Sequence, residues 1–100
     1  MPLPTEWQER VLAAIAAIQP GEIASYGEVA ARAGRPRAAR SVGAALAQHG
    51  DGLPWWRVVR ADGSLPAHKQ VDQASRLAAE GVEVRGTFVV ASNRGPGIRR

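Results

Sequence analysis

Residues 20–46 read PGEIASYGEVAARAGRPRAARSVGAAL, and this stretch decides the fold. Ser25 followed by Glu28 has the form of a capping box, in which each residue satisfies the other's free backbone N–H. The pattern behind it predicts a short helix over residues 26–33, with Gly34 placed to stop it. Pro36 suits the first turn of a further helix, where its missing N–H has no bond to lose. That helix is predicted to run to residue 48, with Ala39, Val42, Ala45 and Leu46 on its apolar face. Arg37, Arg40, Ser41, Ala44 and Gln48 lie opposite. Two short helices meeting at a Gly-Arg-Pro turn are the layout of a helix-turn-helix.

Working outward, Thr5 and Gln8 form another capping box, and Trp7, Val11, Ala14, Ile15 and Ile18 recur at helical spacing. Pro20-Gly21 should end this first helix. Beyond the helix pair, His49-Gly50-Asp51-Gly52 reads as a loop. Asp62-Gly63 is a tight-turn dipeptide between Val58-Val59 and Ser64-Leu65, which predicts a short β-hairpin. Residues 69–80 read as a last helix with Val71, Ala74, Leu77 and Ala78 facing inward, and residues 82–90 are strand-like. The fold class expected is therefore mainly α, a winged-helix-like or helix-turn-helix domain with a short β-hairpin. It should occupy residues 1–91, with residues 92–100 a basic, flexible tail.

Composition narrows the function. The chain has 100 residues, 45% hydrophobic and 22% charged, which suits one globular domain. No apolar run approaches the roughly 18–20 residues that span a membrane, and no secretory signal opens the chain. A cytoplasmic protein without a membrane partner is expected. With no cysteine and only two histidines, neither a disulfide nor an ordinary zinc site is expected, nor any cofactor. The net charge is +4, which suits a polyanionic partner but proves none. The charge is concentrated: Arg32, Arg35, Arg37 and Arg40 cluster around the helix pair, and Arg94, Arg99 and Arg100 lie near the end.

Three features carry chemistry. Trp55-Trp56 follows Pro54 in a chain only 5% aromatic. One of them can fill the core, but neighbours on an extended segment point opposite ways, so one should face solvent or a pocket. There it offers a stacking surface for an unstacked base. Arg40 reads either as a phosphate contact or as a side chain long enough to hold the space left by a flipped nucleotide. The small residues Ala38, Ala39, Gly43, Ala44 and Ala45 favour the second reading, because they let the helix backbone approach a groove closely. From the residues alone Tyr26 can be a partly buried core residue.

The stretches PGEIASYGEVAARAGRPRAARSVGAAL, LPWWRVVRADGSL and LAAEG, in that order, resemble the DNA-binding domain of the O6-alkylguanine-DNA alkyltransferases. The active family carries Pro-Cys-His-Arg-Val where this chain has Pro54-Trp55-Trp56-Arg57-Val58, which marks the alkyltransferase-like proteins. A chain without a further N-terminal domain is expected of that group. The resemblance implies that Trp55 replaces the alkyl-accepting cysteine and Trp56 the activating histidine. Displacement at the alkyl carbon needs a thiolate, so no enzyme is expected. Glu80 falls where the family places its relay glutamate, and its expected role is structural at most. The implied lesion pocket is Tyr26, Trp55, Trp56, Val58, Val59, Ser64 and His68. The implied DNA-contacting set is Arg35, Arg37, Ala39, Arg40, Ser41 and Gly43, with Arg40 as the intercalating finger in the minor groove. Tyr26 matches the family's tyrosine that rotates the target phosphate, and Arg57, matching the arginine of the central motif, is expected to be structural.

The function implied is a monomeric, non-enzymatic DNA damage sensor. It would bind duplex DNA, flip O6-alkylguanine into a Trp-lined pocket and flag the site for nucleotide excision repair proteins. The alternative is a helix-turn-helix transcriptional regulator. Such regulators usually dimerise on paired half-sites, and no apolar dimer helix is evident.

Overall fold

A computed structural model describes residues 3–67 and 69–90. Its first helix, α1, spans Glu6–Ala16 and closes at Ala17, so it stops short of Pro20. Its capping box forms as the sequence suggests: Gln8 N–H donates to Thr5 Oγ1 at 3.1 Å, and Thr5 N–H to Gln8 Oε1 at 2.9 Å. Strand β1, Ala24–Ser25, leads directly into α2, Tyr26–Arg32, through the Ser25/Glu28 box. Gly34 follows at φ +106°, a left-handed conformation that glycine adopts without strain.

Helix α3 spans Ala39–His49 and starts later than Pro36 suggests. Pro36 and Arg37 instead form a turn closed by Ala38 N–H donating to Arg35 O at 3.0 Å. Ala38 is then the N-cap, without a side-chain hydrogen bond. After Pro54 comes a 3-10 turn, Trp55–Arg57, and then β2, Val58–Val59. Helix α4 is Gln70–Ala79, and β3, Val84–Arg85, and β4, Phe88–Val89, form an antiparallel hairpin. The architecture is thus mainly helical.

The hairpin lies elsewhere than Asp62-Gly63 suggests. Strand β2 pairs in parallel with β1, Ala24 opposite Val58 and Ser25 opposite Val59. The Asp62-Gly63 turn does form: Gly63 takes φ +87° and Arg60 N–H donates to Ser64 O at 3.0 Å. Beyond the turn the chain joins the β3–β4 hairpin instead, with Leu65 N–H donating to Thr87 O at 2.7 Å and Ser64 bridging Phe88. The physical reason is burial. Val58 and Val59 are both fully buried, so their backbone needs partners inside the molecule, and β1 supplies them.

This short parallel ladder divides two cores. Alternate side chains of a strand point to opposite faces. Ala24 and Val58 join Val11, Ile15, Val29, Val42 and Ala45 on the helix-pair side. Ile23 and Val59 join Leu65, Leu77, Val82 and Val89 on the other. Helix α4 is rotated relative to the sequence reading: Val71 is 86% exposed, while Gln73 and Leu77 are buried.

Candidate nucleic-acid interface

Helix α3 presents a thin surface. Ala44 and Ala47 are exposed, Ala39, Ser41 and Gly43 are half-buried, and Arg37 and Arg40 extend into solvent at its start. Arg35 is also exposed, with its guanidinium carbon 4.8 Å from the centre of the Trp7 ring, a cation–π contact. Its backbone N–H donates to Ala30 O at 2.9 Å, so the turn between the helices is held from both sides. The DNA-contacting residues suggested by sequence thus share one stretch of surface around the start of α3.

Beside α3 opens a cavity of about 300 Å³, at the small end of ligand pockets, which run roughly 300–1,000 Å³. Tyr26, Gly43, Leu46 and Ala47 form the wall contributed by α2 and α3. Trp55 from the Pro54 loop and Lys69 and Gln73 from the α4 region close the other side. A Cβ on Gly43 would lie 3.9 Å from the Tyr26 ring, so glycine leaves the cavity wall open there. Gly50 is required for close approach: a Cβ there would meet Leu46 O at 2.4 Å. A second recess of about 310 Å³ lies against Trp55 and is also lined by Trp56, Leu53 and Arg76. Trp55 is therefore a wall shared by two hollows.

The tryptophan pair sits on a 3-10 turn, not an extended segment, with ring centroids 5.9 Å apart and planes at 90°. Trp56 turns toward the second core and donates from Nε1 to Glu80 Oε2 at 3.1 Å. Arg57 donates from Nε to Glu80 Oε1 at 2.9 Å and from Nη1 to Ile18 O at 2.8 Å, and its Nη2 pairs with Glu80 Oε2. Gly21 N–H adds a bond to Glu80 Oε1 at 3.3 Å. Hydrogen bonds from Arg57, with further ones from Trp56 and Gly21, hold the Glu80 carboxyl below the usual carboxylate range against the opposing effect of burial. Glu80 and Arg57 are thus structural, as the sequence suggests. On the other side, Gln73 Nε2 donates to Trp56 O at 3.0 Å and Val58 O at 2.9 Å.

Cations surround the indoles. Lys69 Nζ lies 5.4 Å from the Trp55 centroid, and the Arg76 guanidinium lies 4.9 Å from Trp56 and 5.6 Å from Trp55. Tyr26 is half-buried, and desolvation pushes its phenol pKa up, only partly offset by Arg60. The hydroxyl is therefore a neutral hydrogen-bond donor.

Of the suggested pocket residues, Tyr26 and Trp55 line the cavity, and Trp56 lines the second recess. Val58 and Val59 do not: both are fully buried, one in each core. Ser64 is also buried, beside Phe88, and lines neither hollow. His68 and residues 92–100 lie outside the described residues. Sequence reasoning missed Lys69 and Gln73. Gln73 lies four residues before Leu77, the spacing that puts both on one helix face. Among the described residues, no group of three or more acidic or histidine side chains could hold a metal, and no helix is long and apolar enough to cross a membrane.

A family model for the 6-O-methylguanine DNA methyltransferase DNA-binding domain matches residues 6–82. The chain is 46% identical over 83 residues to the DNA base-flipping protein of Escherichia coli, covering 79% of this chain and 64% of that one. The chain thus spans less than two thirds of that relative's length. It is 34% identical over 88 residues to alkyltransferase-like protein 1 of Schizosaccharomyces pombe, covering 82% of each. Its fold is similar to the crystal structure of S. pombe Atl1 in complex with damaged DNA containing O6-carboxymethylguanine, with a TM-score of 0.76, 33% identity and 85% coverage of each chain. The helix pair, the loop between Pro54 and Val58 and the helix capped by Glu80 all fall within the matched residues, and the chain belongs to the family of 6-O-methylguanine DNA methyltransferase DNA-binding domains.

Proposed function

We propose that this protein is a non-enzymatic DNA damage sensor that binds duplex DNA, flips an O6-alkylguanine and holds it against Trp55. The observation that carries this reading is the cavity beside α3 with an indole in its wall. In this reading the indole stands where the active family carries its alkyl-accepting cysteine, and the chain itself contains no cysteine. The damaged-DNA complex of the S. pombe relative supports the same reading.

In this mechanism the small residues of α3 enter the minor groove while Arg35 and Arg37 engage phosphates. Arg40 fills the vacated place in the stack. Flipping costs a few kcal/mol, and stacking on an aromatic side chain returns about 1–3 kcal/mol. Lys69, beside the exposed part of Trp55, can donate to guanine O6 or N7, both acceptors. Without a thiolate the alkyl group stays in place and the complex persists. The persistent complex then flags the site for nucleotide excision repair proteins, with the sensor acting as a cytoplasmic monomer.

The test is binding, at one fixed salt concentration, to two duplexes identical except for a single O6-methylguanine, with the DNA recovered and analysed. Tighter binding to the lesion with the methyl group retained is expected. Equal binding would defeat the sensor reading and leave a helix-turn-helix regulator as the better account. Loss of the methyl group would show that the protein is an enzyme.

A further inference from the structure

Trp7 has no part in the mechanism proposed above, yet it is placed to serve it. Its side chain is half-buried on α1 and packs against the first core. The next residue ties this helix to α3, since Gln8 Nε2 donates to Gln48 Oε1 at 2.9 Å. Over the Trp7 ring lies the Arg35 guanidinium, its central carbon 4.8 Å from the ring centre. Arg35 belongs to the turn between α2 and α3, where its backbone N–H donates to Ala30 O at 2.9 Å. No hydrogen bond or ion pair ties that guanidinium to another described residue, so among them the indole is the group that directs it.

The residue type at position 7 is informative. Trp7 Nε1 is buried and has no hydrogen-bond partner among the described residues. A buried donor left unpaired opposes folding, and phenylalanine would offer an apolar ring without one. What tryptophan adds is the strongest aromatic face for a cation.

We propose that Trp7 is a positioning residue for DNA binding: its ring holds the Arg35 guanidinium, before DNA arrives, in the direction of the phosphate that Arg35 engages. Stacking occupies the face of the guanidinium and leaves its N–H edge free to donate. A free arginine side chain gives up its rotamer freedom on binding, and one already stacked gives up less. The inference rests on the sensor reading, in particular on Arg35 as a phosphate contact, and it extends the binding machinery to α1.

The test is a double-mutant cycle on the full chain, read by fluorescence anisotropy with the O6-methylguanine duplex and its undamaged counterpart. Trp7→Leu keeps apolar bulk and removes the aromatic face, and it should lower affinity about threefold on both duplexes. In an Arg35→Ala background the same substitution should have no further effect. Arg35→Ala alone should make the slope of log affinity against log salt shallower by about 0.9. Any destabilisation by Trp7→Leu is carried in both backgrounds, so the difference between them isolates the contact. Trp7→Phe retains an aromatic face and should stay closer to wild type than Trp7→Leu. Arg35→Lys leaves the core untouched, keeps the charge and loses the planar face, and it should also lower affinity. Equal Trp7→Leu losses in the two backgrounds, or wild-type affinity in Trp7→Leu or Arg35→Lys, would overturn the positioning role. Wild-type affinity and slope in Arg35→Ala would overturn the phosphate contact and the positioning role with it. A wild type without lesion preference overturns the sensor reading alone, because the coupling is measured on either duplex.

Discussion

The amide of Gln73 ties α4 to the loop that carries both tryptophans, donating to the carbonyls of Trp56 and Val58. The side chain is only 2% exposed, so water cannot replace these bonds if the amide is lost. Gln73→Leu keeps the bulk and removes both donors. It is expected to lower stability by about 2 kcal/mol, read from the urea midpoint at unchanged slope. A midpoint equal to wild type would mean that the carbonyls find other donors. The arginines of α3 and its turn separate differently. Arg37→Ala should weaken binding to damaged and undamaged duplexes alike, since a phosphate contact carries no information about the base. Arg40→Ala should mainly erode the preference for the lesion, because its proposed place is the gap in the stack. Equal losses on both duplexes for Arg40→Ala would sink the finger assignment.

Among the elements, the 3-10 turn Trp55–Arg57 depends on Glu80, which receives bonds from Trp56, Arg57 and Gly21. Arg57 and Glu80 are only 11% and 15% exposed, so removing one partner leaves the other poorly solvated. The Glu80 pKa is lowered in the folded protein, so folding favours its charged form. That contribution is present above the ordinary carboxylate pKa and is lost as pH falls through that range toward the depressed value. Glu80→Gln should therefore lower stability at neutral pH by about 3 kcal/mol and flatten the acid limb of the stability curve. An acid limb identical to wild type would remove Glu80 as its source. The elements themselves were unequally legible. Thr5/Gln8 and Ser25/Glu28 are local signals, and both capping boxes stand where they read. Pro36 misled because its turn closes on Arg35 before α3 begins. Val71 misled because Gln73 takes the buried place beside Leu77 and Ala74, where it bonds the carbonyls of Trp56 and Val58, and this turns Val71 to solvent. The parallel partner of Val58-Val59 lies more than thirty residues away, at Ala24-Ser25, and no local pattern encodes such a pairing.

The molecule as a whole places its cavity at a seam. Tyr26 and Gly43 come from the helix-pair side, Gln73 and Lys69 from the α4 side, and Trp55 from the loop that joins them. This explains why the site was only half legible. Trp55 stood out because paired tryptophans are conspicuous in a chain 5% aromatic. The residues opposite it become neighbours only when the two cores are joined across the ladder. The resemblance implies Val58 and Val59 as pocket residues, yet the ladder turns them inward, one to each core. The same arrangement separates two contributions to binding. The arginines around α3 are exposed and the indole is half-buried, and in the proposed mechanism the former meet the duplex by charge and the latter only a base that has left the stack. Trp55→Ala should therefore lower affinity for the O6-methylguanine duplex by about 1–3 kcal/mol. Affinity for the undamaged duplex and its salt slope should remain at the wild-type values, because no phosphate contact is lost. Trp55→Phe should fall between the two, with a smaller stacking face in the same place. Equal weakening on both duplexes would mean that Trp55 supports the fold of the interface rather than the flipped base. A full lesion preference in Trp55→Ala would move the base-holding role to another wall of the cavity, of which Tyr26 is the remaining aromatic member.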